Sequence, residues 1–151
     1  MTNGDRSWTL SSVILAVTGV ILIGMGLYFV FLRPPLLPED MRYMSLSAAQ
    51  IEAFGQGLSG WLDRVFSVLG GYMIATGVLT ITLAATSFRA RNRFAAVGVA
   101  VAGIASVAWM SAVNFIIGSD FKWILLALAL LWASGVGIFW LEQRGFRDGS
   151  I

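Results

Sequence analysis

Four long apolar runs constrain this chain more than any other feature of its sequence. They cover residues 8–31, 65–88, 94–117 and 121–141, and their only charged residue is Lys122. As helices these runs of 21 to 24 residues would be about 32–36 Å long, enough to cross the roughly 30 Å hydrocarbon core of a bilayer. A single segment satisfies its backbone groups in lipid only as a helix. The sequence therefore predicts four membrane-spanning helices.

The composition excludes an ordinary water-soluble domain. Hydrophobic residues make up 58% of the 151 residues and charged residues 12%, whereas soluble domains average about 25% charged residues. A small domain buries only about two-thirds of its surface, so much of this apolar surface must face lipid or protein. We expect one all-α integral membrane domain, residues 1–151, built as a four-helix bundle.

The links between the runs predict the topology. Residues 89–93 and 118–120 are short links, which make consecutive helices antiparallel neighbours. The side with both termini holds six cations, and the side with the longer segment 32–61 holds four. Cytoplasmic loops are enriched in Lys and Arg, so both termini are expected in the cytoplasm and the protein in a bacterial inner membrane. The six cations on the side of the termini are Arg6, Arg89, Arg91, Arg93, Arg144 and Arg147. The four on the other side are Arg33, Arg42, Arg64 and Lys122.

The segment 32–61 predicts a short amphipathic helix in the outer loop between the first two spans. One face would carry Met44, Ile51, Phe54 and Leu58, and Ser47 with Gln50 fits a capping box at its start. The alternative is an irregular loop. Gly55, Gly57 and Gly60 form a GxGxxG pattern at the end of the segment. Because the βαβ unit of a dinucleotide site is missing, these glycines indicate a flexible link into the second span.

Several kinds of chemistry are disfavoured. With no Cys and no His, the chain lacks the usual ligands of zinc, copper and haem. The cations flank apolar runs instead of forming one basic face, so no nucleic-acid partner is expected. Ion-coupled transport is disfavoured because no ionisable residue lies at mid-membrane. Five acids on the outer side could hold Ca²⁺ or Mg²⁺, but ion pairs with the cations on that side explain the same residues. These acids are Glu39, Asp40, Glu52, Asp63 and Asp120. We predict no catalytic residue, cofactor or metal.

Polar and small residues form stripes along the runs. They indicate helix-packing faces or, alternatively, a pocket for a lipid or other apolar molecule, with Asn114 and Tyr72 as hydrogen-bond anchors. The stripes are Thr18, Gly19, Gly24 and Gly26; Tyr72, Thr76, Gly77 and Thr80; Gly103, Ser106, Met110 and Asn114; and Ser134, Gly135 and Gly137.

One polar cluster is expected at the outer mouth of the bundle. The amide of Asn114 needs a partner in apolar surroundings, and Arg64, Tyr72 or the turn at Ser119–Asp120 could supply it. Asp120 is placed to cap the fourth helix and to pair with Arg64. The candidate ligand or interaction residues are Asp63, Arg64, Tyr72, Asn114, Asp120 and Lys122.

The chain resembles the DoxX-like set of small bacterial membrane proteins. The resemblance covers most of the chain, and the residues that carry it are Pro38-Glu39-Asp40-Met41-Arg42-Tyr43, Gly70-Gly71-Tyr72 and Ser119-Asp120-Phe121-Lys122-Trp123. It implies a four-helix fold and assigns no catalytic residue.

Three functions follow as hypotheses. The first is a non-enzymatic accessory or scaffold subunit of a larger membrane complex, with other membrane subunits as partners besides the lipid bilayer. The second is a binder or carrier of a lipid or other lipophilic molecule. The third is a membrane enzyme acting on lipids, whose acid–base groups would come from Glu39, Asp40, Asp63 or Asp120.

Overall fold

The structure, a computed structural model, describes residues 8–148, with side chains described as far as residue 145. Arg6 and the side chain of Arg147, two of the cations counted above, lie outside the described residues. Between residues 8 and 148 the chain is helical with no strand, which confirms the all-α prediction. The helices are α1 (Leu10–Phe31), α2 (Pro38–Met44), α3 (Ala48–Ala53), α4 (Gln56–Phe88), α5 (Arg93–Ile117) and α6 (Lys122–Asp148).

Four of these helices, α1, α4, α5 and α6, are long and apolar enough to cross a membrane. Their outward faces carry large hydrophobic side chains such as Phe94, 89% exposed, and Ile116, 69% exposed. Only 22–28% of the most apolar window of each helix is buried in the bundle. The exterior of the bundle is therefore strongly apolar, and the four long helices are candidate membrane spans, as predicted from the apolar runs.

Two predicted boundaries are wrong. α4 begins at Gln56 instead of residue 65, and α6 extends to Asp148 instead of residue 141. The apolar runs end where charged residues begin. A charged residue is excluded from the hydrocarbon core, but it is compatible with a helix, which can therefore continue past the end of the run. The predicted flexible link is also corrected: Gly55, with φ 74°, is the N-cap of α4, and Gly57 and Gly60 lie inside the helix.

Segment 32–61 contains α2, α3 and the first turns of α4 instead of the single amphipathic helix predicted there. Met44 ends α2, and the next residue, Ser45, takes a left-handed conformation with φ 57° that breaks the helix. The predicted capping box is confirmed, since Gln50 N–H donates to Ser47 Oγ over 3.3 Å and Ser47 N–H donates to Gln50 Oε1 over 2.8 Å. Residue Ile51 lies in α3 and Leu58 in α4, so the predicted apolar face is divided among three helices.

The spanning helices are arranged in the order α4, α1, α6, α5 around the bundle. α1 packs along both α4 and α6, and α6 packs along α5. The contact between α4 and α5 involves the last turn of α4, the π-helical segment Ala84–Phe88. We call this end of the bundle the link end, because residues 89–92 join α4 to α5 there. The opposite end, which carries α2, α3 and residues 118–121, is called the loop end.

Glycines bring α1 and α4 into backbone contact. A Cβ atom on Gly26 would lie 2.6 Å from the carbonyl oxygen of Gly70, and a Cβ atom on Gly77 would lie 2.6 Å from that of Gly19. The two pairs repeat after seven residues on each helix, which is the spacing that keeps one face toward a partner. Gly24, by contrast, is exposed, and a Cβ atom there would meet nothing within 4 Å.

Candidate functional site

A cavity of about 850 Å³ occupies the loop-end half of the bundle between α4 and α5. α4 and α5 form its walls, and α1 and α6 close it from behind through residues such as Leu22, Met25 and Leu125. Tyr72 of α4 and Trp109 of α5 line it yet stay 70% and 67% exposed, so they stand at its rim. The cavity therefore opens sideways, along the face where the apolar exterior of the bundle lies.

The volume of the cavity falls within the roughly 300–1,000 Å³ typical of small-molecule sites. Most of its surface is hydrophobic, with Leu69, Met73, Met110 and Val113 on the two walls. Methionine side chains adapt to irregular ligand shapes. These features suit a flexible apolar chain.

A π-helical segment of α5, Ile104–Ala108, shapes the deep end of the cavity. Ser106 and Val107 of this segment line the cavity. Gly103, just before it, lies against the indole ring of Trp132, which donates from Nε1 to the carbonyl oxygen of Val99 over 3.1 Å. Interruptions of this kind are frequent at functional sites. The stripe predicted on α5 is thus divided: Ser106, Met110 and Asn114 line the cavity, and Gly103 packs against α6.

The loop end of the cavity is polar. Five residues with polar side chains line it there, namely Arg33, Glu39, Asp40, Asn114 and Ser119. α2 supplies both carboxylates, because its start at Pro38 places Glu39 and Asp40 in its first turn next to the end of α5. An apolar cavity with polar groups at one end matches an amphiphile in shape and polarity.

Arg33 is already engaged within the protein. Its side chain is 6% exposed, and its guanidinium lies 3.4 Å from the ring centroid of Phe66. It donates to the carbonyl oxygens of Pro34 and Pro35 over 2.9 and 3.3 Å and to Asp40 Oδ2 over 3.0 Å. These contacts fix the turn between α1 and α2, so the main role of Arg33 is structural.

Glu39 is the more buried of the two acids in the lining, and it has an oxygen left for a ligand. It is 4% exposed, and its Oε1 accepts one hydrogen bond, from Ser119 Oγ over 3.3 Å. Among the described residues no donor meets its Oε2. Buried carboxylates normally have their oxygens satisfied, and this one lines the cavity.

The structure brings two of the six predicted site residues together. Tyr72 and Asn114 both line the cavity. The amide of Asn114 donates to the carbonyl oxygen of Met110 over 2.9 Å, so its partner is its own helix and none of the three proposed from the sequence.

The other four predicted residues lie outside the cavity lining. Asp63 and Arg64 are exposed on the first turns of α4, and Lys122 begins α6. Asp120 pairs with Arg42 over 2.8 Å instead of Arg64. The predicted cap by Asp120 is not seen: in the turn before α6, Ser119 Oγ accepts from Phe121 N–H over 3.2 Å.

A second polar group, absent from the sequence prediction, closes the link end. Glu142 of α6 accepts from Ser11 Oγ over 2.7 Å and from Arg91 Nη1 over 2.6 Å. Gln143 donates to the carbonyl oxygen of Arg91 over 2.8 Å. Ser11 and Gln143 are buried, and the network ties α1, the 89–92 link and α6 together. The polar groups of this network bond to one another, so the network holds the link end together and leaves no opening for a ligand.

Metal binding receives no support from the acidic residues. Within the described part of the chain, no three acidic side chains come close enough to hold a metal ion together.

No protein-family model, curated protein sequence or solved structure matches the chain. The resemblance to DoxX-like proteins therefore stays a prediction.

Proposed function

We propose that this protein is an integral membrane protein that binds a lipophilic small molecule in the cavity between α4 and α5. The observation that carries the proposal is the cavity itself, with hydrophobic walls, a polar loop end and an opening on the apolar exterior. A molecule dissolved in the bilayer could enter sideways, with its chain along Met73 and Met110 and its polar end toward Glu39.

The proposed membrane is the bacterial inner membrane, with the link end and both termini in the cytoplasm. Arg89, Arg91 and Arg93 concentrate positive charge in the link, as is usual for cytoplasmic loops. An alkaline phosphatase fused after residue 151 should therefore be inactive, whereas one inserted at Ser45, between α2 and α3, should be active. The reverse pattern would contradict this orientation.

Filling the cavity should abolish binding. Gly24 lines the cavity, and a Cβ atom there would meet no neighbour within 4 Å, so the ring of Gly24→Phe can occupy the cavity without a backbone clash. The matched control is Gly137→Phe, because Gly137 of α6 has equally open surroundings and lies outside the cavity lining. Native mass spectrometry of protein extracted from membranes should show a retained molecule of defined mass on wild type and Gly137→Phe, and at least about tenfold less on Gly24→Phe.

Two results would contradict the proposal. One is the absence of any retained molecule, and the other is a random sample of bulk phospholipids that is the same on all three proteins. The second would show that the cavity is simply filled by the surrounding bilayer.

The other hypotheses stay predictions. The exposed apolar faces suit lipid and protein neighbours alike, so an accessory role in a larger complex gains no specific support. Of the acids named for an enzyme, Glu39 and Asp40 line the cavity, while Asp63 and Asp120 are exposed and lie outside it.

A further inference from the structure

The polar end of the cavity carries more negative than positive groups. Two carboxylates, Glu39 and Asp40, and one guanidinium, Arg33, line it. Arg33 and Asp40 bond to each other over 3.0 Å, and Asp40 Oδ2 also accepts from the backbone N–H of Leu37 over 2.9 Å. Arg33 therefore neutralises the charge of Asp40, although Asp40 Oδ1 accepts no hydrogen bond among the described residues, and the negative charge left without a cation belongs to Glu39.

From this arrangement we infer that the ligand has a hydrogen-bond donor at its polar end, an amine or a hydroxyl, and that Glu39 binds it. The inference rests on the function proposed above and adds the chemical class of the molecule. Glu39 is 4% exposed and leaves Oε2 open toward the cavity. A buried carboxylate in apolar surroundings is stabilised by a charged or neutral donor.

The same geometry disfavours anionic head groups. A phosphate or carboxylate would need donors of Arg33, and three of its five N–H groups already bond to the Pro34, Pro35 and Asp40 oxygens. It would also bring a negative charge close to Glu39, and like charges at short range in a low dielectric repel strongly. The site would thus select among head groups in two ways, because Glu39 attracts hydrogen-bond donors and repels anions that can only accept.

Four probes with the same chain and different head groups test the inference. They are hexadecylamine, hexadecanol, hexadecyl methyl ether and palmitate, each titrated into the full chain in detergent with native mass spectrometry as the readout. An ammonium donates a charge-assisted hydrogen bond to a carboxylate and an ether donates none, so wild type should bind hexadecylamine at least about tenfold more tightly than the ether. Hexadecanol should lie between them, and palmitate should bind no better than the ether.

The variant Glu39→Gln removes the charge and keeps an oxygen that can accept from Ser119. It should reduce affinity for hexadecylamine about tenfold and leave the ether unchanged. The control is Glu52→Gln, since Glu52 is exposed on α3 and lies outside the cavity lining; it should retain the order of wild type.

The outcomes separate this inference from the proposed function. Equal affinities for all four probes on wild type, or tightest binding of palmitate, would overturn the role of Glu39 while leaving a lipophile site. If no probe binds wild type more tightly than Gly24→Phe, the cavity itself is not a binding site and both proposals fail. The comparison among probes on wild type holds even if Glu39→Gln does not fold.

Discussion

Replacing Gly70 by leucine should separate α1 from α4 and cost about 3 kcal/mol or more of the free energy of unfolding. Overpacking usually costs about 1–3 kcal/mol, but here the nearest atom to the new Cβ would be the carbonyl oxygen of Gly26 at 2.6 Å, followed by Val30 Cγ2 at 2.8 Å. A backbone oxygen cannot rotate away as a side chain can, so the helices themselves must move. Equilibrium unfolding in mixed micelles with increasing SDS measures the loss.

The control is the next residue of the same helix. Gly71 is exposed, and a Cβ atom on it would meet nothing within 4 Å. Gly71→Leu should therefore change the free energy of unfolding by no more than about 0.5 kcal/mol. If the two variants were equally stable, the close approach of α1 and α4 at these glycines would be refuted.

The second large effect is expected at Arg33. Arg33→Met removes the hydrogen bonds to Pro34, Pro35 and Asp40 and the contact with the ring of Phe66, and it leaves Asp40 without its cation. Breaking a buried ion pair costs about 3–5 kcal/mol. Because the Asp40 side chain is 22% exposed, solvent screens part of this, and we expect about 2–4 kcal/mol in the same micelle titration.

A second Arg–Asp pair at the loop end provides the matched comparison. Arg42 and Asp120 are 2.8 Å apart, but their side chains are 59% and 64% exposed. Exposed ion pairs contribute about 0–1 kcal/mol, so Arg42→Met should have little effect on stability. A loss for Arg42→Met as large as that for Arg33→Met would show that burial does not distinguish the two pairs.

The four-helix fold follows from the sequence because hydrocarbon leaves the backbone few choices. An uncharged run such as residues 94–117 has to be helical in lipid, and its length is close to that of α5, Arg93–Ile117. The start of α4 and the end of α6 could not be placed in this way. Outside its apolar run, α4 includes Asp63 and Arg64, and α6 continues through Glu142 and Arg144. Hydropathy measures where a chain meets hydrocarbon and gives no signal for where a helix ends.

Only part of the candidate site could be predicted. Tyr72 and Asn114 were recognisable as polar side chains within apolar runs, and both line the cavity. Arg33 and Glu39 lie in the segment 32–61, where charged residues are ordinarily solvated, and nothing local indicates that α2 folds back and buries them. Proline at the start of α2, with acids in its first turn, is the one signal that could have suggested an ordered helix there.

The network at the link end was missed for a different reason. Arg91 and Glu142 are 51 residues apart, and the sequence does not show which helices are neighbours. Arg91 was counted as a topology signal, a role that does not conflict with its contact to Glu142 over 2.6 Å. Pairing between distant residues depends on the order α4, α1, α6, α5, which hydropathy does not determine.

The proposed function requires that a lipophilic amphiphile occupies the cavity between α4 and α5, with its polar end at α2. Photolabelling with hexadecylamine that carries a diazirine at the end of its chain, followed by peptide mapping, tests it most directly. We expect the label on residues near the deep end, Thr76 of α4 and Ser106 and Met110 of α5, and its loss in Gly24→Phe. Label spread evenly over exterior residues such as Phe94 and Leu141, and unchanged by Gly24→Phe, would show that the amphiphile does not bind in the cavity.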